Sequence, residues 1–164
     1  MIRRATMYDL KKIMYIVEET KEDMMKQGND QFDDVYPIEK HFKEDIANGH
    51  LYIRGSGIDI AGFMCINNED LISASHLPWS KVTPCTVMYR LIVNKLHRKR
   101  GIGKELISSA EEISKRQGLN YVKAATYELN KPMMALFEKL GYNLVGKVKL
   151  ERKQNLFYFY EKIL

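Results

Sequence analysis

Four stretches of the chain repeat apolar residues with a helical period, and seven carry strand-like apolar runs. Residues 1–6 read as a short strand. Thr6 and Asp9 then form a capping-box pattern, with Asp in place of the usual Glu. Leu10, Ile13, Met14 and Val17 follow at i, i+3, i+4 and i+7, one face of a helix that Gly28-Asn29-Asp30 breaks. A second helix begins near Pro37 and uses Ile38, Phe42 and Ile46; Asn48-Gly49 gives its stop. His50–Arg54 and Ile58–Ile66 are strand-like, and Gly55-Ser56-Gly57 between them is a hairpin signal. Asn67–Asp70 is turn-like, and 71–84 reads as loop. Thr86–Val93 is a dense β-favouring run. Ile102, Leu106, Ala110 and Ile113 share a helical face that Gly118 ends. Tyr121–Thr126 is a strand. Pro132 sits near the start of a short helix with Met133, Leu136, Phe137 and Leu140 on its apolar side. Tyr142–Val148 and Leu156–Ile163 complete the set. The order β-α-α-β-β-β-α-β-α-β-β predicts an α+β (mixed α/β) protein, with helices covering a twisted sheet.

At 164 residues this pattern is expected to form one domain, residues 1–164. No apolar run spans a bilayer, and MIRRATMYDLKK has no signal-like apolar core, so a cytoplasmic protein without membrane contact is expected. Cys65 and Cys85 lie in apolar strand context and read as free buried thiols. Two cysteines and four histidines, scattered, offer no zinc spacing, so no metal is expected. The charge is uneven: residues 1–82 carry ten Lys/Arg against fourteen Asp/Glu, and 83–164 carry sixteen against seven. The second half is therefore the one that would meet a polyanion.

That basic half holds the stretch His97-Arg98-Lys99-Arg100-Gly101-Ile102-Gly103-Lys104, between a predicted strand and a predicted helix. A first helical turn has N–H groups without intrahelical partners and a partial positive charge. Glycines there let an anion approach the backbone, and Arg98 and Lys104 add charge-assisted contacts. The stretch reads as a pyrophosphate cradle. It is neither a P-loop nor a dinucleotide fingerprint, because the required glycine and lysine spacings are absent.

Arg98-x-x-Gly101-x-Gly103, after a strand and opening a helix, resembles the acyl-CoA motif of the GNAT superfamily of N-acetyltransferases, Gln/Arg-x-x-Gly-x-Gly/Ala. Leu91-Ile92-Val93 ends five residues before Arg98, like the family's pantetheine-binding strand. Asn130-x6-Phe137-Glu-Lys-Leu-Gly-Tyr142 resembles its second motif, Asn-x6-Tyr-Glu-Lys-x-Gly-Phe. The element order is also similar to that fold's.

The resemblance implies direct transfer of an acetyl group from acetyl-CoA, as co-substrate, to a primary amine of a small molecule or peptide. It implies a donor gap between the strands at Thr86–Val93 and Tyr121–Thr126. The pantetheine arm would lie along Leu91, Ile92 and Val93. The pyrophosphate would meet Arg98, Lys99, Arg100, Gly101, Ile102, Gly103 and Lys104. Asn130 and Phe137 would sit near the arm. The position that usually supplies a tyrosine acid for the departing thiolate holds Phe137, which has no proton to give. Three outcomes remain: the thiolate leaves unassisted, a water protonates it, or another hydroxyl substitutes, for which Tyr127 is the candidate, at the end of the strand flanking the cofactor gap and three residues before Asn130.

Other roles stay open in the residues themselves. Glu69, Asp70 and His76 are candidate bases on the acceptor side, Glu69 foremost. Arg90 is a candidate contact for an acidic group on the substrate, and Tyr36 and Trp79 are candidate pocket walls. Residues 8–50 carry eleven Asp/Glu against six lysines, an acidic rim that would favour a cationic acceptor. Two other classes compete. A non-catalytic acyl-CoA-binding or sensor module would share every cradle residue. A nucleic-acid binder using 97–100 and 147–153 lacks interleaved aromatics and a recognition helix, so no nucleic-acid partner is expected. Monomer and homodimer are both compatible with the sequence.

Overall fold

The computed structural model describes residues 1–56 and 58–164. Its elements are β1 (Ile2–Arg4), α1 (Leu10–Lys26), α2 (Glu39–Ala47), β2 (Leu51–Ser56), β3 (Asp59–Asn67), β4 (Thr86–Val93), α3 (Ile102–Arg116), β5 (Tyr121–Tyr127), α4 (Lys131–Lys139), β6 (Asn143–Lys149) and β7 (Leu156–Ile163). One-turn helices at Met7–Asp9, Ile72–Ala74 and Lys95–His97 lie in the connections. The seven strands form a sheet in the order β1-β2-β3-β4-β5-β7-β6. Pairing is antiparallel for β1–β2, β2–β3, β5–β7 and β6–β7, and parallel for β4–β5. The predicted α+β class and element order are those observed.

The chain divides into two compact units, 1–66 with 90–106, and 67–89 with 107–164. In the first, α1 buries Leu10, Ile13, Ile16, Val17 and Thr20. Met14 stays only half-buried, at the edge of that stripe. Phe42 and Ile46 of α2 are buried as predicted, and Phe42 meets Phe63 of β3 edge-on at 5.9 Å. β2 runs on through Gly55 and Ser56 after a bulge at Arg54/Gly55, so these two residues belong to the strand rather than the turn. Gly57 lies outside the described residues.

The Thr6–Asp9 cap is present: the Asp9 carboxylate accepts from the Thr6 N–H at 2.7 Å and pairs with Arg3 at 2.8 Å. The Arg3 guanidinium, aided by Thr6, holds the Asp9 carboxyl down at about 2. A depressed carboxyl stabilises the fold above its unfolded value, about 3.9, and that contribution disappears as pH falls through about 2. Urea midpoints measured between pH 5 and pH 2 are expected to fall less steeply for Asp9→Asn than for the wild type.

In the second unit, the β4–β5 register covers Thr86, Val87 and Met88 opposite Val122, Lys123 and Ala124. β5 continues against β7 as far as Tyr127 opposite Phe157. Asn130 caps α4, its side chain accepting from the Met133 N–H at 3.3 Å. Thr86 is buried and its hydroxyl meets that of Ser114 on α3 at 2.8 Å.

Candidate active site

The basic glycine stretch is built on the first unit. Asn94 fixes where it leaves β4: its N–H bonds Ala61 O at 2.9 Å, its side-chain amide bonds Ile60 O at 2.9 Å, and its carbonyl oxygen accepts from Leu96 N–H at 3.1 Å. It is an Asx turn tied to β3. Sequence reading passed over Asn94; a lone Asn after a strand was the available signal. Gly62 of β3, equally silent in sequence, lets the start of α3 lie close. A Cβ there would come within 2.9 Å of Ile92 O, 3.0 Å of Ile102 Cγ2 and 3.2 Å of Leu106 Cδ1.

The stretch then turns through two left-handed residues, Lys99 (φ 61°) and Gly101 (φ 80°). Such steps make successive backbone N–H groups converge into anion-binding nests. A lysine in this region is strained by about 1–2 kcal/mol. Gly101 O receives the first bond of α3 from Glu105 N–H at 3.0 Å, so the N–H groups of Ile102, Gly103 and Lys104 are the first-turn donors. A Cβ at Gly101 would meet nothing within 4 Å, so the space before the helix is open.

The cations of this stretch fall into two sets. Lys95 pairs with Glu19 at 2.8 Å and Arg98 with Asp23 at 3.1 Å, and the His97 ring Nε2 lies 3.0 Å from Asp59 Oδ1. Lys99, Arg100 and Lys104 hold no ion pair among the described residues. Arg98, predicted as a ligand contact, is therefore tethered to α1. Glu105, just inside the helix, is answered by Arg54 at 2.6 Å.

Arg90 and Tyr36 come together in the same unit, around a residue that sequence reading missed. Buried Asp45 accepts bidentate bonds from Arg90 at 2.6 and 2.9 Å and the Cys65 thiol at 2.8 Å. Arg90 Nη1 also donates to the Tyr36 hydroxyl at 2.9 Å. Arg90 takes φ 49° inside β4, a left-handed step unusual for a strand residue. Its charge is thus already matched. Burial pushes the Tyr36 hydroxyl up, and burial beside Asp45 pushes the Cys65 thiol well up, so neither ionises at neutral pH. A carboxylate next to Phe42 and Ile46 on an apolar helix face was the sequence signal for Asp45. Much of the acidic rim is spent in the same way: Asp9, Glu18, Glu19, Asp23, Glu39, Glu44 and Asp45 are all paired.

The second unit holds the remaining candidates. Glu69 is exposed, and its N–H bonds Asn67 Oδ1 at 3.1 Å. His76 is exposed. Asp70 pairs with Lys123 at 2.8 Å, and the buried Lys123 ammonium lies 4.3 Å from the Trp79 ring centre. Trp79 donates its N–H to Ala74 O at 2.9 Å and meets Phe159 edge-on. Glu161 is buried and accepts from Ser80 and from the Tyr121 hydroxyl. Burial pushes the Glu161 carboxyl up, but the bonds from Ser80 and Tyr121 outweigh it and hold it low. Lys123 and Glu161 were not singled out in the sequence, where each is one charge in a strand. Tyr127 is fully buried, its ring 4.9 Å from that of Phe157 and tilted by 49°, and its hydroxyl accepts from Asn155 N–H at 3.1 Å. Phe137 is buried between Tyr142 at 5.4 Å and Tyr160 at 5.1 Å. Both cysteines are free and buried. No helix among the described residues is long and apolar enough to cross a membrane, and no three His, Cys, Asp or Glu are grouped to hold a metal.

The architecture, a mixed and mostly antiparallel seven-stranded sheet flanked by four helices, is the one the comparisons assign to a class. Residues 13–142 match the family model described as the acetyltransferase (GNAT) family. This chain belongs to that family. An acetyltransferase-assigned protein from Staphylococcus aureus Mu50 is 30% identical, with TM-score 0.78, covering 99% of this chain and 98% of its own. A GNAT-family acetyltransferase from Streptococcus agalactiae 2603 shares the fold at TM-score 0.87 and 24% identity, covering 100% and 95%. A ribosomal-protein-alanine N-acetyltransferase from Brucella melitensis shares it at TM-score 0.70 and 18% identity, covering 100% and 99%. No curated protein matches the sequence.

Proposed function

We propose that this acetyltransferase moves an acetyl group from acetyl-CoA directly to a primary amine of a small molecule or peptide, in the cytoplasm. The observation that carries the reading is the cradle: open space at Gly101, first-turn N–H donors from Ile102 to Lys104, and Lys99, Arg100 and Lys104 without ion pairs among the described residues. This is the chemistry a pyrophosphate needs. Leu91, Ile92 and Val93 of β4 offer extended backbone to the amide-rich arm, the way one extended chain recognises another. Asn130 and Phe137 are donor contacts in the same reading. The amine must attack as the neutral base, and a backbone N–H near Leu91 steadies the developing oxyanion. Glu69, exposed, is the retained candidate to receive the amine proton, with Tyr36, Trp79 and Arg90 proposed on the acceptor side.

A panel of amines incubated with acetyl-CoA, read by release of free thiol, tests this. Acceptor-dependent thiol release supports it. Tight CoA binding with no release for any amine would favour the non-catalytic acyl-CoA sensor.

Tyr127 is the first hydroxyl to question as the acid. Its hydroxyl is already engaged, accepting from Asn155 N–H at 3.1 Å. Tyr127→Phe is expected to lower kcat less than threefold while costing about 1 kcal/mol of stability, the worth of one buried hydrogen bond. A hundredfold fall in kcat with unchanged CoA affinity would instead make Tyr127 the acid.

A further inference from the structure

Tyr160 of β7 carries a buried hydroxyl that bonds to nothing among the described residues. Its aromatic neighbours in the same unit do not share this condition. Tyr121 donates to Glu161, Tyr142 donates to Glu111 at 3.0 Å, and Tyr127 accepts from Asn155. An enclosed hydroxyl without a partner costs about 1–3 kcal/mol. A position that keeps one is therefore a place to look for a missing partner.

Two features say what that partner is. The Tyr160 ring lies 5.1 Å from Phe137, tilted by 35°. Phe137 stands where the second motif otherwise places its tyrosine. Tyr160 also lies opposite Ala124 on β5, and Ala124 faces Met88 in the last pair of the β4–β5 register. The row Met88, Ala124, Tyr160 is thus the row at which β4 stops pairing with β5, and Ala124 contributes only a methyl group to it.

We propose that the Tyr160 hydroxyl is the proton donor to the departing CoA thiolate, in place of the hydroxyl that Phe137 lacks. The inference rests on the acetyl-transfer reading above. The amine nitrogen forms its bond to the acyl carbon, the C–S bond breaks, and its electron pair stays on sulfur. The Tyr160 O–H proton moves to that sulfur and releases CoA as the thiol. The tyrosinate regains a proton from the one the acylated nitrogen sheds, carried by solvent. Burial, with Glu138 and Tyr158 nearby, holds the Tyr160 hydroxyl above its ordinary value, so it is protonated at neutral pH.

The test is Tyr160→Phe, which keeps the ring and removes an atom that bonds nothing in the free protein. Thermal stability is expected to stay level or rise. The decisive readout is the ionisation of bound CoA, followed by the ultraviolet absorbance of its thiolate. Losing a charge-assisted hydrogen bond should raise the thiol pKa by about one unit. With an acceptor in hand, kcat should fall about a hundredfold at unchanged CoA affinity, and Phe137→Tyr added to Tyr160→Phe should restore a tenfold or larger part of it. An unchanged thiol titration overturns the assignment, even if kcat falls, because a packing defect alone would slow turnover. If CoA binds and no amine is turned over, the titration alone decides Tyr160 and the acetyl-transfer reading fails separately. If CoA does not bind the wild type, both fail.

Discussion

Gly103→Glu is expected to weaken CoA binding at least about a hundredfold while the protein stays folded. Gly103 is the second residue of α3, and its N–H is among the first-turn donors. A carboxylate here suits the free helix, since an acidic residue in the first turn is worth about 0.3–1 kcal/mol against the dipole. The same carboxylate occupies the anion's place and repels it. Affinity and stability should therefore move in opposite directions, which no general damage to the fold would produce. Titration of CoA against the variant, with its melting temperature measured alongside, checks both. Unchanged affinity would remove the cradle from 98–104.

Arg90→Met is expected to cost about 3 kcal/mol of folding stability, because it strands the buried Asp45 carboxylate. Asp45 would keep only the Cys65 thiol as a partner from this cluster. Adding Asp45→Asn to Arg90→Met should recover much of that loss, since removing both members of a buried pair is often close to neutral. Urea denaturation of the two variants gives the comparison. A loss under about 1 kcal/mol for Arg90→Met would mean that the pair is not structural, and would favour Arg90 as the contact for an acidic group on the acceptor.

The order of elements was legible because each long element announces itself with its own period. Thr86–Val93 and Leu156–Ile163 have the predicted bounds, since β-branched and aromatic runs end where polar residues begin. Boundaries were less legible where tertiary pairing decides them, as at Gly55-Ser56, which β3 draws into the sheet. The cradle was legible because its chemistry is local: glycines, cations and a helix start lie within seven residues. The groups that hold it were not. Asn94, Gly62, Glu19 and Asp23 act through partners as many as 76 residues away in the chain. Nothing in one sequence shows that a carboxylate will find its cation across such a distance. Asp45 and Tyr160 were hidden for a related reason: one is a charge made tolerable by Arg90, and the other is singular only because it lacks what its neighbours have.

The helix α1 gives the chain's uneven charge a meaning beyond attraction to an anion. Five cationic side chains within ten residues, Lys95, Arg98, Lys99, Arg100 and Lys104, would repel one another in the absence of ligand. Glu19 and Asp23, one turn apart on α1, act as built-in counterions for Lys95 and Arg98. In the acetyl-CoA reading proposed above, an arriving pyrophosphate would then meet a smaller net charge than the basic run suggests, and less of its attraction would be open to screening by salt. A loop that carries its own carboxylates gives up part of that attraction and in exchange depends less on ionic strength.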